Sequence, residues 1–424
     1  MSSKAIEWGL LPDTAESVDG RLVIGGCDVI DVVEEFGTPV FIYDEEHLRR
    51  RCREAVAAFG EGVAYASKAF LCKAMAKVAH EAGMHIDVAT GGEMHVALAA
   101  GVPGGRLVFH GNNKSSDELA TAIDVGINRI VVDSFDEMDR IDALVAAGRP
   151  APHILLRINP GIEAHTHEYL QTGVPDSKFG FPLTDGIAAQ AIDRAVTSVS
   201  MQYQGLHAHI GSQVFDVDSY GRAIEAVARF VKESNADEFS IGGGLGVAYV
   251  EGEEADSITT WADRIFNAVT ASGISARVLA EPGRSIVAQA AVTAYTIGTI
   301  KVVPNVRTYV AVDGGISENP RPVLYGSGYE AMLPRSSDSD RPLRARIVGK
   351  HCESGDIIVR EADLPADVKV GDTLCTPVTG AYGHSMASNY NKVARPAVVF
   401  VCDGEARLVV ERETMDDLLA KDVG

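Results

Sequence analysis

The sequence predicts an α/β fold in which a (β/α)8 TIM-like barrel is joined to a second, all-β domain. Between residues 44 and 289, short apolar runs alternate with amphipathic helical stretches eight times, which is typical of parallel strands closed into a barrel. After about residue 290 the alternation stops, and strand-like segments punctuated by Gly, Pro and Asp follow. We therefore expect a barrel over 44–289 and a β domain over 1–43 and 290–424.

Length, composition and charge narrow the class of protein. With 424 residues, 46% of them hydrophobic and 23% charged, the chain can bury a large core, which excludes disorder, collagen and coiled coil. The 38 basic and 59 acidic residues give a formal charge of −21, which disfavours nucleic acid and anionic membranes as partners, although acidity also serves solubility. The sequence shows no apolar signal region and no run of about 18 apolar residues, so we expect a cytoplasmic protein that binds no membrane.

The cysteines lie far apart in the sequence, without a C-x-x-C pair or a close Cys/His group of zinc type. We therefore expect reduced thiols and no metal centre. The cysteines are Cys27, Cys52, Cys72, Cys352, Cys375 and Cys402.

The elements can be placed in chain order. Strands at 21–24 and 39–43 flank a helix at 28–36, and a helix at 45–59 leads into the barrel. Apolar residues at helical spacing, as at 116–125 and 220–234, mark the helices between barrel strands. The barrel strands are predicted at 63–66, 85–89, 106–110, 129–133, 153–158, 204–210, 238–241 and 277–281. The β-domain strands are predicted at 308–312, 343–348, 356–359, 373–376, 393–400 and 407–410.

Residues of unusual chemistry recur at the C-terminal ends of the eight predicted barrel strands. Each has an ordinary interpretation as a helix cap or turn residue, but active sites of this fold collect at these ends, and the recurrence favours a site there. The residues are Lys68, Asp87 with Thr90, His110 with Asn112, Asp133 with Ser134, Arg157, His209 with Ser212, Gly242, Gly243 and Gly244, and Glu281 with Arg284.

Lys68 stands at the end of the first barrel strand, immediately before a helical pattern. If the run is a strand, Ala64, Ala66 and Lys68 share one face, so that small side chains leave room below a long one. A desolvated amine there is a candidate for imine chemistry with a carbonyl. Most lysines that follow a strand are solvated loop residues, so Lys68 does not decide the function by itself.

The ends of the seventh and eighth strands suggest anion binding. Three consecutive glycines, 242–244, let backbone amides approach a phosphate, and barrels of this kind often bind phosphate there. The Glu281 carboxylate could hold a protonated ring nitrogen, and the Arg284 guanidinium could pair with phosphate or carboxylate. The alternative for these two residues is a local ion pair at a tight turn.

His207 and His209 lie two residues apart on one predicted strand face. Metal binding is conceivable, but the sequence shows no third ligand nearby, and we expect one ring to pack against something flat and the other to be satisfied in the core. Ser212 could add a phosphate contact. Together, these strand-end residues suit a ligand with a phosphate, a protonatable ring nitrogen, a flat ring and an aldehyde that can react with Lys68. Pyridoxal 5′-phosphate has all four.

Spaced motifs of this chain resemble the fold-type III pyridoxal phosphate decarboxylases over essentially its whole length. They are YASKA at 65–69, HIGSQ at 209–213, the glycine triplet, EPGR at 281–284, CESGD at 352–356 and GAYG at 380–383. Further segments are similar to the diaminopimelate decarboxylase branch of that family, namely HTHE at 165–168, DSKFG at 176–180, RPVLY at 321–325 and SMASNYN at 385–391.

The resemblance implies a role for individual residues. Lys68 would form the internal Schiff base with the cofactor, His209 would stack on its ring, and Glu281 would pair with its pyridine nitrogen. Further cofactor contacts are implied for Asp87, Ser212, Gly242, Gly243, Gly244, Gly283, Arg284 and Tyr382. Substrate contacts are implied for Arg284, Arg321, Tyr325, Glu353 and Tyr382.

The resemblance also implies a reaction and an assembly. The reaction is the decarboxylation of meso-2,6-diaminopimelate to L-lysine and carbon dioxide, the last step of lysine biosynthesis, with Cys352 as proton donor after carbon dioxide leaves. In the family, the segment with Cys352 and Glu353 comes from the partner subunit, so a homodimer with two composite sites is implied. Arg321 favours this substrate over ornithine or arginine, whose distal ends are cations.

Two other interpretations stay open at this point. A Schiff-base aldolase also uses a strand-end lysine in a barrel, but it has no need for Glu281. A non-catalytic pyridoxal phosphate-binding protein has no use for a proton donor such as Cys352.

Overall fold

The computed structural model describes residues 6–161, 177–216 and 218–424. The strands, in chain order, are β1 (Glu16–Val18), β2 (Arg21–Ile24), β3 (Cys27–Asp28), β4 (Val40–Asp44), β5 (Ala64–Ala66), β6 (His85–Val88), β7 (Leu107–Phe109), β8 (Arg129–Val132), β9 (His153–Asn159), β10 (Phe181–Pro182), β11 (Gln202–Ala208), β12 (Glu238–Ser240), β13 (Arg277–Leu279), β14 (Ala291–Val303), β15 (Arg307–Val312), β16 (Leu343–Val348), β17 (Ile357–Leu364), β18 (Thr373–Pro377), β19 (Ala397–Cys402) and β20 (Glu405–Val410).

The helices, in chain order, are α1 (Val29–Phe36), α2 (Glu45–Phe59), α3 (Lys73–Glu81), α4 (Gly91–Ala99), α5 (Ser116–Asp124), α6 (Phe135–Ala146), α7 (Ile187–Thr197), α8 (Asp218–Glu233), α9 (Ile258–Ala271), α10 (Arg284–Val287) and α11 (Arg321–Tyr325). Within the described ranges, none of these helices is both long enough and apolar enough to cross a membrane.

The chain divides into two compact units. The unit that contains the barrel comprises Arg51–Val247 and Ala255–Ser285, and we call it the barrel unit. The other comprises Met1–Arg50, Ala248–Glu254 and Ile286–Gly424, and we call it the β unit.

Eight parallel strands form the barrel, which confirms the predicted fold class. The strand order is β5-β6-β7-β8-β9-β11-β12-β13, and the short β10 pairs with β9 outside this path. The first and last strands are joined by Ala64 N donating to Ala280 O at 2.9 Å and Ala280 N donating to Gly62 O at 3.0 Å. Apolar side chains from five strands form a buried cluster, namely Ala64, Val108, Val131, Leu155 and Leu279.

The β unit is built around a sheet of order β17-β16-β15-β14-β4-β19-β20, with β18 also paired to β14. The N-terminal strand β4 lies between β14 and β19 in this sheet, which confirms that the N-terminal strands and the C-terminal part form one β domain. The long strand β14 pairs with β4 and β18 through its first half and with β15 through its second half.

Strand β14 was not predicted from the sequence, and the alternation that was expected to include Lys68 stops before it. The start of β14 is rich in alanine, a strong helix former, and Gly298 interrupts its β-branched pattern at a bulge, so the strand signal is weak. The first barrel strand ends at Ala66, and Lys68 lies in the 3₁₀ turn Ser67–Ala69 that follows. The two-residue alternation therefore does not extend from Ala64 to Lys68.

Candidate active site

Lys68 is presented at the C-terminal end of the barrel by a tightly held backbone. Its neighbours Ser67 and Ala69 are buried, whereas the Lys68 side chain is exposed. The end of the eighth strand passes close by, because Ala66 N donates to Pro282 O at 3.1 Å. A Cβ at Gly283 would lie 2.9 Å from Ala66 O, so this approach requires glycine.

The Glu281 carboxylate is the centre of a buried polar cluster. Ser240 Oγ donates to one carboxylate oxygen at 2.7 Å, and His207 Nε2 lies 3.0 Å from the other. His110 Nε2 lies 3.4 Å from the oxygen that Ser240 contacts. Burial opposes ionisation of Glu281, but His207 and His110 outweigh it and hold its pKa well below the usual range. The group stays a carboxylate, as an acceptor for a protonated ring nitrogen must.

Asp87 and Glu281 both lie near the His110 ring, and Asp87 Oδ1 is 3.7 Å from His110 Nε2. Burial raises the pKa of Asp87 to about 6, although the charge of His110 acts against it. Burial disfavours the charged form of His110 too, but Asp87 and Glu281 outweigh it and raise its pKa. The sequence analysis noted Asp87 and His110 as strand-end residues but missed Ser240, because a serine within a strand gives no signal.

The two histidines of β11 have different environments. His207 is buried and its Nε2 contacts Glu281, but its Nδ1 has no hydrogen-bond partner among the described residues, so the expected ring satisfied in the core is only half realised. His209 follows the strand and is half-buried. Burial, together with the charges of Lys68 and Arg157, lowers the pKa of His209 well below its usual value. A neutral, flat imidazole beside Lys68 suits stacking on an aromatic ring.

The cluster also contains a set of possible metal donors that the sequence did not reveal. Donor atoms of His110, His207 and Glu281 lie within 4.8 Å of one another. His207 lies on β11, whereas His110 and Glu281 follow the ends of β7 and β13, so sequence spacing gave no sign of the grouping.

Gly243 and Gly244 are needed for close packing and leave donors for an anion. A Cβ at Gly243 would lie 2.1 Å from Glu281 O, and one at Gly244 would lie 2.2 Å from Gly211 O. Among the described residues, the N–H groups of these two glycines donate to no protein acceptor. Arg284 Nη2 donates to Ser212 Oγ at 2.8 Å, so the predicted phosphate-binding side chains are neighbours. Gly242 packs against the His209 ring, where a Cβ would lie 2.6 Å from Nδ1.

Two of the polar strand-end residues, Thr90 and Ser134, cap helices, in agreement with their ordinary interpretation. Thr90 Oγ1 accepts from Glu93 N at 3.2 Å, and Ser134 Oγ accepts from Glu137 N at 3.3 Å. Arg157 instead stacks over the Phe179 ring at 4.3 Å.

Arg321 of the β unit is buried and held by two tyrosines. Its Nη1 donates to Tyr329 Oη at 2.7 Å, and its guanidinium lies over the Tyr249 ring at 4.0 Å. Burial opposes the charge of Arg321, but the phenols of Tyr249 and Tyr329 outweigh it and raise its pKa further. The sequence analysis found neither tyrosine, because aromatic residues in a turn carry no specific signal.

The other candidates of the β unit lie on turns. Tyr325 ends α11 and is followed by left-handed Gly326, and Tyr382 is close enough to influence the charge of Arg321. Cys352 and Glu353 are exposed between β16 and β17. The segment 165–168 and Asp176, which carried part of the resemblance, lie outside the described residues.

Comparison with known proteins decides the family. The family described as "Pyridoxal-dependent decarboxylase, pyridoxal binding domain" matches residues 45–288. The diaminopimelate decarboxylase of Mycobacterium tuberculosis (strain ATCC 25618 / H37Rv) is 43% identical over 432 residues, covering 97% of this chain and 97% of that protein. The chain belongs to the diaminopimelate decarboxylase family.

Two further proteins named diaminopimelate decarboxylase are similar to this chain over nearly its whole length. The enzyme of Bacillus subtilis (strain 168) is 44% identical over 421 residues, covering 95% of each chain. The crystal structure of diaminopimelate decarboxylase from M. jannaschii in co-complex with L-lysine has a TM-score of 0.90 at 33% identity, covering 97% of this chain and 98% of that chain. The chain is therefore a carboxy-lyase whose cofactor is pyridoxal 5′-phosphate.

The residues of the barrel end fit the cofactor of the diaminopimelate decarboxylase family. Lys68 offers an amine, Glu281 a permanent carboxylate, and His209 a neutral flat ring. The backbone N–H groups of Gly243 and Gly244, with Ser212 and Arg284, form a donor set suited to phosphate.

Proposed function

We propose that this enzyme removes the carboxyl group at the D-centre of meso-2,6-diaminopimelate and releases L-lysine and carbon dioxide. The observation that carries the choice of substrate is the environment of Arg321. Its guanidinium is fixed between Tyr249 and Tyr329, and its buried Nε–H has no acceptor among the described residues. A fixed guanidinium with a spare donor suits a distal carboxylate.

Substrates with a cationic distal end fit this arrangement poorly. Ornithine and arginine would place a positive charge near the buried Arg321, and like charges repel strongly where solvent is excluded. Diaminopimelate places a carboxylate and an ammonium group at its distal end. Arg321, Arg284 and Tyr325 bind that carboxylate, and Glu353 binds the ammonium group.

The residues of the barrel end hold the cofactor. Lys68 binds it covalently, His209 stacks on its ring, and Glu281 accepts a hydrogen bond from its ring nitrogen. The bound cofactor supplies the electron sink that stabilises negative charge at Cα when carbon dioxide leaves. The cofactor's phosphate is bound by Ser212, Gly243, Arg284 and Tyr382, with Gly242, Gly244 and Gly283 shaping the backbone and Asp87 adjusting the charge of the cluster.

Protonation of the substrate carbon completes the reaction. Replacing a carboxylate by hydrogen releases carbon dioxide and consumes one proton at Cα. Cys352 supplies that proton from its thiol and regains one from solvent. The exposed position of Cys352 and Glu353 in their own unit supports a site completed by a second copy of the chain, so the active form is a homodimer.

In the proposed function each domain has a role, and the protein has a location in the cell. The barrel domain, residues 44–289, binds the cofactor, and the β domain, residues 1–43 and 290–424, contributes to the site and to the dimer interface. The protein acts in the cytoplasm, which the absence of disulfides among its six cysteines supports.

The substrate assignment is tested by replacing Arg321 with Ala. We expect KM for meso-diaminopimelate to rise steeply, by about 10²-fold or more for loss of a charged hydrogen-bonding partner, while the cofactor stays bound. Arg344→Ala is the matched control, because Arg344 is an exposed arginine of the same unit, paired with Glu361 and Asp363. An unchanged KM in the Arg321 variant would remove Arg321 from substrate binding.

A further inference from the structure

A chain of polar contacts connects a buried carboxyl group to the turn that carries Cys352. Glu318 Oε2 lies 2.7 Å from Ser317 Oγ, which lies 2.9 Å from His351 Nε2. On its other side, His351 Nδ1 lies 3.3 Å from Asn391 Oδ1. The same Asn391 oxygen accepts from Cys352 N at 3.1 Å. The four side chains therefore connect Glu318 to the backbone of Cys352.

The interior part of this chain is closed to solvent. Ser317, Glu318 and His351 are 3%, 1% and 7% exposed. The His351 ring stacks on Tyr390, with centroids 5.4 Å apart. Asp356 accepts from the backbone N–H of His351 at 2.8 Å, so both the ring and the backbone of His351 are fixed.

The direction of each hydrogen bond follows from the one donor that cannot change. The backbone N–H of Cys352 always donates, so the Asn391 atom that faces it must be the carbonyl oxygen. That oxygen accepts only, and His351 Nδ1 must therefore carry a proton. In a neutral ring, His351 Nε2 is then an acceptor and needs the Ser317 hydroxyl as its donor.

The contacts along these four side chains can all form only if the side chains hold one further proton. Ser317 has one hydroxyl proton and cannot donate to both His351 and Glu318. All contacts are satisfied when Glu318 is a carboxylic acid that donates to Ser317, or when His351 is an imidazolium. Without the extra proton, one contact pairs two acceptors and breaks.

The environment favours retention of that proton. Burial raises the pKa of Glu318 to about 7, against hydrogen bonds from Gly315 N and Ser317 Oγ, and the nearby carboxylate of Asp356 raises it further. Tyr295 also faces Glu318, and Asp356 and Tyr390 face His351.

We propose that Glu318, Ser317, His351 and Asn391 are positioning residues for the decarboxylation, because one proton shared along them holds the Cys352–Glu353 turn in its working geometry. The inference rests on the proposed function, in which Cys352 delivers the proton to the substrate. When pH rises and the shared proton is lost, a contact breaks, the turn loosens and turnover falls.

Glu318→Gln tests the shared proton. The amide keeps an oxygen to accept from Gly315 N and presents an NH2 donor to Ser317, so it copies the protonated carboxyl and cannot titrate. We expect kcat of the wild type to fall about fivefold more than that of Glu318→Gln between pH 6 and pH 8.5, the factor for loss of one hydrogen bond. Glu330→Gln is the control, since Glu330 is a half-buried carboxyl of the β unit whose pKa is also raised by burial, and this variant should keep the wild-type profile.

Amide hydrogen exchange at Cys352 gives a second measurement that needs no turnover. In the cofactor-loaded protein at pH 8.5, this amide should exchange about fivefold faster in the wild type than in Glu318→Gln, and equally at pH 6. Ser317→Ala breaks the chain at every pH, so its Cys352 amide should exchange fast already at pH 6. This variant keeps the test available if Glu318→Gln does not fold.

The two measurements separate the inference from the proposed function. Identical exchange and identical pH profiles in wild type and Glu318→Gln would overturn the positioning role, even with normal decarboxylation. A difference in exchange in a protein that releases no carbon dioxide from meso-diaminopimelate would support the positioning chain and overturn the proposed function.

Discussion

The two ends of the barrel each keep a buried carboxylate ionised, but with different kinds of partner. At the N-terminal end, Glu238 is bound by the guanidiniums of Arg129 and Arg277, and these outweigh its burial and lower its pKa. At the C-terminal end, Glu281 is bound by Ser240 and by histidines. Glu238 meets permanent cations, whereas Glu281 meets groups that can titrate.

One histidine at each end, His85 and His110, shows the same difference. At the N-terminal end, burial and the guanidinium of Arg106 lower the pKa of His85 to about 4, so His85 is neutral. At the C-terminal end, His110 has a raised pKa beside Asp87 and Glu281. The N-terminal end therefore stabilises the fold, because its charges are permanently paired. The C-terminal end keeps charges that a ligand can complete.

The largest effect is expected from removing the amine at the C-terminal end. Lys68→Ala should lower kcat by about 10² to 10⁴-fold, because in the proposed function this residue bonds covalently to the cofactor. Borohydride reduction followed by mass spectrometry should find no covalently attached cofactor. Lys77→Ala, at an exposed lysine of α3, is the control and should keep both attachment and turnover. A Lys68 variant with normal turnover would refute the assignment.

A smaller loss is expected when the Glu281 charge is removed. Glu281→Gln keeps the shape but carries no negative charge to stabilise a protonated ring nitrogen, so kcat should fall about 10²-fold and cofactor affinity should weaken. Stability should change much less, and titration with pyridoxal 5′-phosphate together with kcat measures the effect. Equal kcat in variant and wild type would show that Glu281 is only structural.

Removing the Glu238 charge at the N-terminal end should instead lower stability and leave kcat unchanged. Glu238→Gln leaves Arg129 without its buried partner, so the free energy of unfolding should fall by about 3 kcal/mol while kcat stays unchanged. Urea denaturation and steady-state kinetics on the same preparation measure both. A loss of kcat without a loss of stability would contradict the division between the ends.

The smallest effect concerns pH and His85. The folded protein keeps His85 neutral down to about pH 4, whereas the unfolded chain binds a proton near pH 6.5. Its contribution to stability is therefore complete above about pH 6.5 and is lost as pH falls from there. Between pH 7.5 and pH 5 the wild type should therefore lose about 2 kcal/mol more stability than His85→Gln.

Denaturation at pH 7.5 and pH 5 compares the two proteins. His153→Gln is the control, because His153 is exposed at the start of β9 and should leave the wild-type pH dependence intact. The same pH dependence in His85→Gln and wild type would show that His85 does not cause the loss.

The fold was largely predictable because its signal is repeated. Each of the eight barrel strands was predicted close to its observed position, since a parallel strand buried on both faces is a short apolar run between helices. The strand β14 was not predictable in this way. Its pairing with β4, β15 and β18 decides its conformation, and those partners are distant in the sequence.

The candidate site was predictable where a residue type is unusual for its position. Lys68, Glu281 and Arg284 stand out because charged residues seldom end buried strands. Ser240, Tyr249 and Tyr329 are ordinary residues whose importance comes from a neighbour brought close by the fold. The same applies to Glu318 and His351, whose contact passes through Ser317.

The most direct test of the account is carbon dioxide release, measured together with the absorbance spectrum of the cofactor-loaded protein. We expect a visible band from the cofactor bound to Lys68, a change in that band on adding meso-diaminopimelate, and equal amounts of carbon dioxide and L-lysine. A band that ignores meso-diaminopimelate, or carbon dioxide released from ornithine or arginine in preference to it, would contradict the substrate assignment. A protein with no band after adding pyridoxal 5′-phosphate would contradict the site itself.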